Sequence, residues 1–255
     1  MLLLLPVHAQ ADFDHSAWDG LLKEHVRVIG GGIATQVDYS GMAADRGVLK
    51  AYLDEVAMVP RSIFDSWSSA AQLALLINVY NAYTVDVILE EYPDIDSIRD
   101  IGFFLSSAWN QKFASLFGEQ VTLDEIEHDM IRGWSRYQEP RIHFAVNCAA
   151  IGCPALRAEA YVGDKLEAQL EDSTKRFLSD RSRNYYDNGR MYISSIFDWY
   201  EEDFEQGWGG IDSVAEFLAG YVADLEVDMA VANQLRADDI RIRHLKYDWS
   251  LNDTQ

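Results

Sequence analysis

The stretch Ala70–Leu89, AAQLALLINVYNAYTVDVIL, sets the fold. Apolar residues fill nearly every turn, more than one greasy stripe on a surface helix would need, and no proline or glycine interrupts them. The spacing predicts a long, mostly buried helix that stops before Pro93, with the remaining chain packed around it. The run Leu73–Leu89 is broken by Asn78, Asn81, Thr84 and Asp86 before it reaches the roughly 18 apolar residues of a membrane span. Asn78 and Asn81 fall on one face. Burying an amide without partners costs a few kcal/mol, so both must be hydrogen-bonded, either as a network that clamps neighbouring loops or as part of a site wall.

Outward from that helix the local signals are short. Val48–Val59 has amphipathic spacing and stops at Pro60. Thr122-Leu-Asp-Glu125 is a capping box that starts a helix of about three turns, and Ser213-Val-Ala-Glu216 does the same for a helix over Phe217–Leu225. Asn184–Ile193 carries Asn188-Gly189 between aromatic and β-branched residues, the strongest short-range hairpin signal because both turn positions need positive φ. Arg141–Asn147 alternates and is expected to be a strand. There is no repeat, low-complexity tract or linker. The expectation is a helix-rich α+β domain over residues 12–255 with a small antiparallel sheet.

The chain has 42 acidic against 21 basic residues, a formal net charge of −21. Such a surface repels phosphate backbones and anionic lipid, which argues against nucleic acid as a partner. The first residues, MLLLLPVHAQA, combine a short apolar region with the small-x-small pattern Ala9-Gln10-Ala11. They are expected to be a signal peptide, cleaved after Ala11 from a periplasmic or secreted protein, although a basic n-region is missing.

Both cysteines lie in Arg141–Leu156, RIHFAVNCAAIGCPAL. Read as a strand, Ile142, Phe144 and Val146 fill one face while His143, Ala145 and Asn147 share the other. Cys148 then ends the strand, and the small residues Ala149–Gly152 form a loop whose amides can stabilise an oxyanion or simply make a tight connection. In an oxidising compartment Cys148 and Cys153 can join, although so short a loop constrains little chain entropy. In Leu123–Arg132 the apolar stripe Leu123, Ile126 and Met130 leaves Asp124 and His128 four apart with Glu127 beside them, either an oriented general base or a surface charge pair.

The blocks VDYSGM (Val37–Met42), INVYNAYTV (Ile77–Val85), LDEIEHDMIR (Leu123–Arg132), RIHFAVNCAAIGCPAL and FDWYEEDF (Phe197–Phe204) run in the order of a bacterial and plant family of domains of unknown function, numbered 547, which this chain resembles. The resemblance implies that Asn78, Asn81, His128, His143 and Cys148 sit in the family's recurrent blocks. Leu76 stands where members often have tryptophan, and plant-like relatives tend to have serine at Cys153, so a disulfide is not indispensable to the family's fold.

Two functions of different class are compatible with these residues. One is a secreted thiol hydrolase or acyl transferase acting on peptide, amide or thioester bonds, with Cys148 as nucleophile, His143 or His128 as base and Asn78 or Asp124 as orienter, and with Asn81, Glu127 and Asn147 lining the binding site. That grouping is distantly similar to papain-like thiol enzymes, an analogy rather than a derivation. The other is a non-catalytic binding or scaffold module of the envelope with Cys148 and Cys153 joined. A zinc site from His128, His143, Cys148 and an acidic group is weaker, because no tight C-x-x-C or H-x-x-x-H spacing is present. No cofactor is expected, and the substrate or envelope partner is not legible in the sequence.

Overall fold

The computed structural model of the protein describes residues 12–102 and 106–254. The expected signal peptide, residues 1–11, lies outside the described residues. The predicted helix is there as Ser69–Glu91, started by Ser68, whose hydroxyl accepts from the Ala71 N–H at 3.1 Å. Every residue from Ala71 to Leu89 is buried. The helix is long and apolar enough to cross a membrane, yet its apolar window is wholly buried within the domain.

Four elements pack against it: Tyr39–Ala44, Arg46–Ala57, Leu166–Leu178 and the wide helical turns of Glu125–Arg132, with Ser16–His25 lying outside on Arg46–Ala57. They close a first apolar core around Leu75, Leu76, Ile77 and Ile88. A second core, built on Phe144, Phe177, Phe197, Phe204 and Phe217, holds together the C-terminal half. The strands are short. Val26–Ile29 pairs with Ala34–Val37, and Ala114–Leu116 with Glu119–Val121. The Asn-Gly hairpin is as expected: Tyr185–Asp187 pairs with Arg190–Ser194, and Asn188 and Gly189 have φ of 48° and 77°. Arg241–Leu245 adds to that hairpin in parallel, so this sheet is mixed rather than purely antiparallel. The architecture is a helix-rich α+β domain.

Three local expectations are corrected. Arg141–Asn147 is not a strand: Pro140–Phe144 is a 3₁₀ turn, with Pro140 in its first turn and the Glu139 carboxylate accepting from the Arg141 N–H at 3.1 Å. The alternating hydrophobicity has another cause. Ile142, Ala145 and Val146 pack into the first core and Phe144 into the second, because the segment runs between the two. Arg141, buried between them, is compensated by Glu139 and Glu167, each at 2.7 Å.

The second correction concerns the segment after Thr122. The capping box forms as expected, with Glu125 N–H on Thr122 Oγ1 at 2.9 Å and Thr122 N–H on Glu125 Oε2 at 2.7 Å. The box opens into a π-helix over Glu125–Arg132 rather than an α-helix. Its wider turn puts Ile126 and Ile131, five apart, in the core, leaves Met130 only half-buried and turns Glu127 inward. Third, the Ser213-capped helix is Val214–Ala219 and not Phe217–Leu225. It ends at Gly220, the poorest helix former short of proline.

Candidate functional site

Where the two cores meet, a cavity of about 390 Å³ opens to solvent. Cys148, His143, His128, Asp124 and Glu127 all line it, so most of the expected site residues do converge. Asn78, Asn81 and Asn147 do not line it; they build its support. Asn78 donates Nδ2–H to Tyr161 O at 2.7 Å and accepts from Tyr161 N–H at 3.0 Å. Asn81 grips the backbone just before Cys148, donating to Ala145 O at 3.0 Å and accepting from Asn147 N–H at 2.8 Å. Asn147 then ties the cysteine loop, accepting from Ala149 N–H and donating to Pro154 O. The asparagine pair is the clamping network, and Asn78, held on the Tyr161 backbone and absent from the cavity lining, does not orient an imidazole.

His143 is the most constrained polar group. It is 2% exposed, stacks on Tyr200 at 3.9 Å between centroids, and bonds through Nε2 to Asp203 Oδ2 at 2.7 Å. Burial lowers the imidazole pKa, against the pull of Asp203. Burial alone would raise Asp203, but hydrogen bonds from His143 and Arg132 outweigh it and bring the carboxyl to about 2. An ionised carboxylate can only accept, so neutral His143 carries its proton on Nε2 and Nδ1 keeps its lone pair. That Nδ1 is buried and has no hydrogen-bond partner. Asp203, not Asn78 or Asp124, is thus the orienting group. Sequence reasoning does not find it, because 60 residues separate it from His143 and no local spacing joins them.

The Asp124–His128 pair is peripheral. His128 Nε2 lies 4.0 Å from Asp124 Oδ1, both side chains are more than 40% exposed, and His128 Nδ1 contacts Arg132 Nη1 at 2.7 Å. Burial raises the Asp124 carboxyl, with His128 opposing. Glu127, by contrast, is 4% exposed and accepts from the Tyr200 hydroxyl at 2.7 Å. Burial first, then Glu127, pushes the Tyr200 hydroxyl far up, so it remains a donor.

Cys148 and Cys153 are joined in a disulfide on the cavity wall, with Cα atoms 6.2 Å apart. The Tyr247 hydroxyl touches both sulfurs, 3.2 Å from Cys148 Sγ and 3.0 Å from Cys153 Sγ. Of the loop amides expected to stabilise an oxyanion, those of Ala149, Ile151 and Gly152 are otherwise engaged. Ala149 N–H goes to Asn147 Oδ1, while Ile151 and Gly152 donate to Ser250 O and Asp248 O of the C-terminal segment. That docking is tight at Gly152, where a Cβ would lie 2.8 Å from the Tyr247 ring and 2.9 Å from Asp248 O, so only glycine fits. Trp109, Trp199 and Trp249 complete the wall. Among the described residues, no three His, Cys, Asp or Glu side chains are grouped to hold a metal ion.

Fold and site together define a helix-rich α+β domain with an aromatic, acid-bearing cavity sealed on one side by a disulfide. Residues 64–178 match the family model described as a protein of unknown function, DUF547. No curated protein and no solved structure matches the chain.

Proposed function

We propose that this is a recognition domain that binds a small organic molecule in the cavity, with the Cys148–Cys153 bond as a fixed part of its wall. The observation that carries the reading is the cavity itself. At about 390 Å³ it lies within the usual range for ligand sites, roughly 300–1,000 Å³, and it pairs tryptophan surface with a few convergent polar groups. Groups a thiol enzyme needs are committed elsewhere: the nucleophile to Cys153, the Ile151 and Gly152 amides to the C-terminal segment, Asn78 to Tyr161. A disulfide also persists best in an oxidising compartment, which supports placement in the periplasm or outside the cell.

The test is alkylation. Freshly isolated, unreduced protein should resist iodoacetamide at both cysteines until it is denatured and reduced, and should digest to one cross-linked peptide. Rapid modification of native Cys148, with an apparent pKa below the free-thiol value of about 8.5, overturns this reading.

That outcome would favour a second reading, the thiol hydrolase or acyl transferase, which one observation supports. His143, oriented by Asp203 and with Nδ1 unpartnered, lines the same cavity as Cys148. Reduction by a dithiol, itself oxidised to a disulfide, would leave two thiols. Nδ1 would take the Cys148 proton, the thiolate would attack an acyl carbon while the Tyr247 hydroxyl donates to the oxyanion, and collapse would expel the leaving group with the proton from Nδ1, leaving a thioester for water or an acyl acceptor to cleave.

A further inference from the structure

The charge inside the cavity is unbalanced in a specific way. Neither lysine nor arginine is among its lining residues, whereas Glu127 and Asp124 are. Glu127 is nearly fully buried, and the donors it meets are neutral tyrosine hydroxyls, that of Tyr200 at 2.7 Å and that of Tyr80. Among the described residues no cationic nitrogen lies within ion-pair distance of it. The nearest guanidinium in sequence, Arg132, is bound bidentately to Asp203 at 2.5 and 3.1 Å. Buried carboxylates are ordinarily paired with a cation, because leaving one with neutral donors alone is costly.

A second group is also missing its partner. His143 Nδ1 is buried, faces no hydrogen-bond donor and presents a lone pair, since Nε2 carries the proton to Asp203. The cavity therefore offers two buried acceptors and an aromatic surface. That surface already attracts cations from outside: the Arg99 guanidinium sits 5.3 Å from the Trp249 ring centroid and Arg132 sits 5.1 Å from that of Tyr200. A net charge of −21 adds long-range attraction of the same sign.

We infer that the cavity selects primary organic cations, an ammonium group donating N–H to Glu127 and His143 with an apolar body laid on the tryptophan wall. An N–H-bearing ammonium supplies the positive charge that Glu127 lacks and the donor that His143 lacks; at these two groups a carboxylate or phosphate ligand would meet like charge and a lone pair. The inference rests on the binding reading and gives its ligand a chemistry.

The experiment uses the oxidised full-length protein and three probes of one shape: 2-phenylethylammonium, 2-phenylethanol and phenylacetate. Binding is followed by ligand-observed NMR and by the fluorescence of the wall tryptophans. The cation should bind at least about tenfold tighter than the alcohol, and the carboxylate more weakly than either. Glu127→Gln keeps the side-chain volume and an acceptor for Tyr200, so it should cut the cation's preference over the alcohol from at least about tenfold to about one. Equal binding of cation and alcohol would overturn the cation inference while the binding reading stands. Failure of all three probes to saturate would overturn both.

Discussion

Replacing Asn78 by leucine tests how much of the fold depends on one amide. Its side chain makes two hydrogen bonds with the Tyr161 backbone, at 2.7 and 3.0 Å, in a site where Asn78 and Tyr161 are each 1% exposed. Leucine removes both and leaves a buried N–H and a buried C=O without partners, at about 1–3 kcal/mol each. Part of this is regained from the added apolar burial, so the net loss is about 2–4 kcal/mol. For a chain of this size that corresponds to a fall in Tm of roughly 5–15 °C. Chemical denaturation should show the shift in midpoint with an unchanged slope.

Asn78→Asp refines the test. It keeps an acceptor for the Tyr161 N–H but sets a second oxygen against the Tyr161 carbonyl, so its carboxyl is driven upward when folded. A raised folded pKa means the folded variant binds more protons, and its deficit relative to wild type should shrink as pH falls. A leucine variant with an unchanged midpoint would refute the reasoning, as would an aspartate variant whose deficit does not vary between about pH 8 and 5.

Two further outcomes concern histidines. Burial depresses His15, bonded to the Tyr52 hydroxyl at 2.9 Å, to about 4. The unfolded chain therefore binds the extra proton, and stability should fall from about pH 6.5 towards 4, by about 3 kcal/mol for this group. His15→Asn should flatten that limb; parallel profiles for variant and wild type would refute the assignment. Nitrogen NMR of His143 at about pH 8, where the ring is neutral, should show the proton on Nε2, and a neutral ring protonated on Nδ1 would refute the tautomer on which its free Nδ1 depends.

The central helix is legible in the sequence because its signal is local and redundant: an unbroken apolar run of the right length with Pro93 beyond its end. The Asn188-Gly189 hairpin and the Thr122–Glu125 box are legible for the same reason, since each is a backbone requirement met within a few residues. Arg141–Asn147 misleads because alternation reports burial on two sides, which a strand in a sheet and a turn between two cores both produce. The π-turn misleads more subtly. A period of five cannot be distinguished from 3.6 over eight residues, yet it decides that Glu127 and not His128 points inward. Tyr200 and Asp203 lie in the FDWYEEDF block, but nothing local marks them, or Tyr247 and Trp249, as site residues; the site partners of Asp203, Tyr200 and Tyr247 lie 60 to 99 residues away.

The cavity belongs to neither core alone. The span matched by the family model contributes Tyr80, Trp109, Glu127, His143 and Cys148, whereas Trp199, Tyr200, Tyr247 and Trp249 come from beyond it. The two contributions are locked by backbone bonds at the cysteine loop, where Ile151 and Gly152 donate to the C-terminal segment and Asn252 N–H returns a bond to Ala149 O. Ser97 Oγ donates to Trp249 O at 2.7 Å and the Tyr39 hydroxyl donates to Asn252 Oδ1 at 2.8 Å, so the tail is also fastened to the first core. Asn81 fixes the other end of the same loop from the central helix. A shift of one core against the other must therefore move the Tyr200–His143 stack, the Tyr247 contact with both sulfurs and the tryptophan wall together. Interdigitated cores resist such sliding because they are close-packed. On the proposed binding reading the acceptors of the cavity are thus held in place before a ligand would arrive, which is the condition under which a few polar contacts give selectivity rather than mere adhesion.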